Sequence, residues 1–164
     1  MRDVIAGLLA LVLLVAAASL ASTLQYYRRR RRRAREALQS LGRTVVAELP
    51  AGDDLVLFAE DASGFYYGDQ AVAKDQIVAA RVLINGAPIA AVTSKRLVPD
   101  ARRQPTRFDD PPEGIARDRW DVAIETFDTT LLVECGAIRE RVSQELARTV
   151  FDAVRRDIEA RDAH

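Results

Sequence analysis

The dipeptide Asn85-Gly86, set between two apolar runs rich in β-branched residues, constrains this chain more tightly than any other short segment. A two-residue hairpin turn needs positive φ at both central residues, which Asn tolerates and Gly adopts freely. The turn predicts that Ile77–Ile84 and Ala87–Thr93 are antiparallel strands. Ile84 should face Ala87 in a hydrogen-bonded pair, and Leu83 should face Pro88 in a non-hydrogen-bonded one. Pro88 has no amide hydrogen to give an outer neighbour, so its strand is expected at a sheet edge.

Weaker turn signals at Gly52-Asp53-Asp54, Asp61 to Gly64 and Gly68-Asp69 separate further strands at Thr44–Leu49, Leu55–Glu60 and Phe65–Tyr67. Trp120–Phe127 sets Trp120, Val122 and Ile124 against Asp121, Ala123 and Glu125, the alternation of a half-buried strand. Leu131–Cys135 is expected to return beside it after Asp128-Thr129-Thr130. From Ala137 to about Ala160 the period becomes helical. Val142, Leu146, Ala147, Val150, Phe151, Ala153, Val154 and Ile158 share one arc, while Arg141 with Glu145 and Arg148 with Asp152 stand four apart on the opposite, solvated face.

The expected class is therefore α+β, a small antiparallel β-rich domain closed by a C-terminal amphipathic helix. Short strands followed by one such helix resemble the layout of PH-like barrels, over about 120 residues from Arg43 onward. The resemblance is one of topology, carries no residue with it, and implies lipid-headgroup or peptide binding.

Ahead of the domain, Val4 to Leu24 is an uncharged stretch dominated by Leu, Val and Ala, which as a helix would be about 31 Å long. That length matches a bilayer core and predicts a single transmembrane helix. Tyr26 and Tyr27 follow at the expected interface, and then Arg28, Arg29, Arg30, Arg31, Arg32, Arg33 and Arg35. The arginines predict contact with an anionic leaflet and place the C-terminal side in the cytoplasm. They also oppose translocation, which disfavours a cleaved signal peptide. The expected organisation is an anchor over 1–27, an arginine-rich helical stalk over 28–42 ending at Gly42, and a cytoplasmic domain over 43–164. The protein would then be a single-pass inner-membrane protein with its N-terminus outside. Ala6, Ala10, Ala17 and Ala21 form a small-residue stripe that would suit a homodimer through the span.

The formal charge of zero hides segregation: from Arg43 onward, 16 basic side chains stand against 22 acidic ones, a net −6. An acidic domain argues against nucleic acid as a partner. The 25 residues from Ser94 to Asp118 hold four prolines and form an expected long loop. Its basic half, Lys95, Arg96, Arg102, Arg103 and Arg107, is a candidate docking loop for an anionic partner. No glycine-rich phosphate loop is present, no cofactor is implied, and the only histidine is the last residue, His164. The lone Cys135 and the carboxylate pairs Asp53-Asp54, Glu60-Asp61 and Asp109-Asp110 are the remaining candidates for chemistry, with burial and turn formation as their simpler roles. The function expected is a membrane-anchored interaction or regulatory module without catalytic activity, bound to a protein partner. The alternatives are a lipid-binding domain using the basic loop and an enzyme built on carboxylates or Cys135.

Overall fold

The computed structural model describes residues 2–51, 54–95 and 118–163; the side chains of residues 2–12, 17, 21, 23, 24, 26 and 27 lie outside the description. The chain divides into two compact units, Met1–Gly42 and Arg43–His164. The first is one helix, α1 (Arg2–Ser40). Gly42 stops it as expected, with φ of +74° and its amide on the Gln39 carbonyl at 2.9 Å.

Among the described residues, no helix is long and apolar enough to cross a membrane. The apolar run from Val4 is one part of a 39-residue helix that continues without a break through the arginine block, where Arg28 to Arg33 and Arg35 are exposed. The expected transmembrane helix, the anchor over 1–27, and single-pass inner-membrane placement with the N-terminus outside and the domain cytoplasmic fall with that finding. The small-residue stripe rests on Ala6, Ala10, Ala17 and Ala21, whose side chains lie outside the described residues, as do those of Tyr26 and Tyr27.

The second unit carries β1 (Thr44–Ala51), β2 (Asp54–Glu60), β3 (Gly64–Tyr67), β4 (Gln70–Ala73), a 3-10 turn (Lys74–Gln76), β5 (Ile77–Ile84), β6 (Ala87–Thr93), β7 (Arg119–Thr126), β8 (Thr130–Ala137) and α2 (Arg141–Asp162). The strands do not close one barrel. They form two four-stranded antiparallel sheets, ordered β1-β2-β3-β4 and β6-β5-β7-β8. The chain leaves β6 and re-enters on the far side of β5, which is why β6 is left at the edge, as Pro88 requires.

Asn85 and Gly86 take φ of 52° and 82°, and Ile84 pairs with Ala87 and Leu83 with Pro88. A bulge follows at once: Leu83 faces Pro88 but Val82 faces Ala90, so Ile89 is the extra residue.

One core joins both sheets to α2. Leu49, Phe58 and Phe65 from the first sheet, Val122, Ile124 and Val133 from the second, and Val150, Val154 and Ile158 from α2 are wholly or almost wholly buried. Phe58 and Phe65 stack with centroids 5.7 Å apart. Lys74 adds a polar tie, its Nζ lying 3.1 Å from Glu60 and 3.7 Å from Asp157 on α2.

Gly136 marks the junction of β8, β1 and α2. Its φ is +110°, and a Cβ there would stand 2.5 Å from Ser143 Oγ and 3.1 Å from the Pro50 ring. Backbone strain and overpacking together make Gly136→Ala destabilising by about 2–3 kcal/mol, read as a lower urea midpoint. Val150→Asp places an unpaired charge where exposure is 0% and leaves the domain unfolded in far-UV circular dichroism; a wild-type melting curve for either variant contradicts the packing described.

Candidate functional site

The residues singled out from sequence are not brought together. Arg28 to Arg33 and Arg35 lie along α1, where Arg32 pairs with Glu36 at 2.9 Å. Of the candidate docking loop only Lys95 is described; Arg96, Arg102, Arg103 and Arg107 lie outside the described residues. The start of that loop is fastened to the end of α2, since Ser94 Oγ donates to Asp162 Oδ1 at 2.9 Å and the Lys95 amide donates to Asp162 Oδ2 at 2.8 Å.

Of the candidates for chemistry, Asp53, Asp109, Asp110 and His164 lie outside the described residues, and Cys135, Glu60 and Asp61 have structural work. Cys135 is fully buried and its Sγ donates to the Val133 carbonyl at 3.6 Å. Burial, and after it the nearby Asp121 charge, pushes the thiol up to about 12, so no nucleophilic thiolate forms at neutral pH. Glu60 holds Lys74. Asp61 closes a turn, accepting from the Ser63 hydroxyl and amide, both at 2.7 Å, and from the Gly64 amide at 2.9 Å. The side-chain hydrogen bonds from Ser63 and then Tyr66 hold its carboxyl well below the usual carboxylate range. Arg119 clamps β7 to β8, with Nε 2.9 Å from Asp121 and Nη1 2.8 Å from Glu134. Burial opposes that guanidinium charge, but the two carboxylates more than offset it and raise its pKa. Among the described residues no group of three His, Cys, Asp or Glu side chains is placed to hold a metal ion.

A concave feature among the described residues of the second unit lies elsewhere. A groove of about 440 Å³ runs between β6 and α2. Val82 of β5, Trp120 of β7, and Ala147 and Phe151 of α2 line it with nearly buried apolar surface. Ile89, 56% exposed, and Ala90 come from β6. The α2 rim carries Arg141 and Glu145, 3.8 Å apart, Arg155 with Asp152 at 3.0 Å, and Arg148, which has no ion-pair partner among the described residues. Arg155 also lies over the Phe151 ring at 5.9 Å. Two features mark the groove as unfinished. Trp120 Nε1 is buried yet has no hydrogen-bond partner among the described residues, an uncommon and costly state. In addition, β6 ends its sheet, and among the described residues no strand pairs with its outer side.

The ladder fixes which β6 amides point outward. The Ser94 amide donates inward to the Val78 carbonyl at 2.8 Å. Alternation then turns Val92 and Ala90 inward and Thr93 and Ala91 outward. Sequence reasoning placed β6 at an edge but could not find the groove, because Val82, Trp120 and Phe151 come from three elements whose order in space no local pattern encodes.

Two outcomes check these assignments. Cys135 should resist Ellman's reagent at pH 8 in the native protein and react fully in guanidinium; prompt native reaction contradicts its burial. Asp61, with its folded pKa depressed, contributes stability that is present above the unfolded value near 4 and lost as pH falls below it. Asp61→Asn should therefore lower the melting temperature at pH 7 and flatten the wild-type decline between pH 5 and pH 3; parallel curves for the two proteins contradict the role of its charge.

No family model, no curated protein and no solved structure matches this chain.

Proposed function

We propose that the Arg43–His164 unit is an interaction module without catalytic activity and that the groove between β6 and α2 is its binding surface for another protein. The observation that carries this reading is the coincidence, in one place, of a sheet edge with no strand beside it among the described residues and a groove with an apolar floor. The edge strand, Ala87-Pro88-Ile89-Ala90-Ala91-Val92-Thr93, contains no charged residue. Proteins ordinarily guard exposed edges with lysines, bulges or a covering element, and among the described residues only Pro88 and the Ile89 bulge do so. The trough has the volume of a ligand-binding cleft, with six apolar residues from β5, β6, β7 and α2 facing six charged or polar ones on the α2 rim.

The test is comparative. Ile89 is exposed on the groove wall, so Ile89→Glu should leave the fold intact while placing a charge in the binding surface. The full chain, immobilised in wild-type and Ile89→Glu forms and exposed to native extract, should retain a stoichiometric protein on the first and lose it on the second. Identical retention on both forms places binding elsewhere, and nothing stoichiometric on either removes the interaction reading.

A further inference from the structure

We propose that the occupant of the groove is an extended segment of another protein, which adds as a strand to the outer edge of β6 and brings a carboxylate side chain to Arg148. The inference rests on the interaction reading above and names the chemistry of the partner. Three observations lead to it.

The first is the free ladder. Ala91 and Thr93 turn their amides outward with no strand beside them among the described residues, and a peptide in extended conformation is the group that satisfies alternate donors and acceptors along an edge. Pro88 offers no donor at its own outward position, so the added strand takes its amide hydrogen bonds from the Ala91 end.

The second is the trough beside that ladder. A strand laid against β6 projects every second side chain to the α2 side, over Ile89, Ala90 and Phe151. One apolar side chain there covers the surface of Ile89 and Ala90 that is exposed among the described residues.

The third is charge. The α2 rim holds three arginines against two carboxylates, and Arg148 is the residue left over. A guanidinium on the wall of an apolar groove selects an anionic side chain in the segment that fills it. The same observation disfavours a second copy of this chain. Its β6 would bring no charged side chain to Arg148.

Trp120 is the only tryptophan in the chain and lies on the groove lining, so its emission reports occupancy directly. The probes are capped hexapeptides that alternate valine and threonine around one central glutamate, with a lysine counterpart and a version of the glutamate peptide N-methylated at alternate amides. The full chain titrated with the glutamate peptide should show a saturable emission change. The lysine and N-methylated peptides should each bind at least about tenfold more weakly. Ala91→Pro, at an outward amide the β5 ladder does not use, should keep the wild-type melting temperature and lose about tenfold in affinity. Arg148→Glu should reverse the glutamate-over-lysine preference.

Equal binding of the N-methylated peptide overturns strand addition, even if Ala91→Pro fails to fold. Equal binding of the glutamate and lysine peptides overturns the carboxylate preference. Sedimentation showing a wild-type dimer that Ala91→Pro dissociates assigns the edge to a second copy and overturns the proposal. In each of these cases the loss of a partner on Ile89→Glu remains a separate result, so failure of the peptide chemistry is distinguishable from failure of the interaction reading.

Discussion

The buried stripe of α2 is the interaction on which the rest of this domain depends. Ala147, Val150, Val154 and Ile158 are at most 1% exposed, and they meet β1 of one sheet and β5, β7 and β8 of the other. Each sheet alone would leave an apolar face in water, and four short strands cannot enclose it. The helix covers both faces at once, so the two sheets share one core instead of forming two. Its polar side then becomes the wall of the groove. The same element that completes the core therefore also lines the concave surface beside β6.

Local chemistry made the second unit legible wherever one short segment decides the outcome. Asn85-Gly86 determines a two-residue turn, and the turn determines the register of β5 against β6 through Leu83 and Pro88. The helical arc through Val150 and Ile158 was equally decisive, because its burial follows the period; around Trp120 the strand was found but not its setting, since Asp121 and Ala123, expected on an open face, are buried along with Trp120, Val122 and Ile124. β4 escaped notice because only Val72 of its four residues is buried, too little for a pattern. Val142 was expected in the core and is 62% exposed: β8 runs on to Ala137 and α2 starts at Arg141, so Val142 falls in a first turn that overhangs the sheets. Ser143 was missed for the complementary reason, being a polar residue that is buried against Gly136.

The N-terminal unit shows where composition misleads. Leucine and alanine favour any helix, and arginine does too, so an apolar run followed by a basic one is compatible with a continuous helix such as α1 as much as with a span and its flank. The groove was illegible for a different reason. Its lining is supplied by a crossover that carries the chain from β6 to the far side of β5, and nothing in the residues of β7 declares on which side it will pair.

The clasp of Ser94 and Lys95 on Asp162 has a mechanical consequence. Where β6 ends, both oxygens of one carboxylate hold it to the end of α2, so the separation of strand and helix is set at that point. No described hydrogen bond ties the Ala87 end of the strand to the start of the helix. The strand is thus pinned to the helix at its Thr93 end by bonds that have no described counterpart at its Ala87 end, so any widening between the two would pivot about Asp162. Tolerance for the size of a side chain should accordingly grow along the strand, from the Thr93 end towards the Ala87 end.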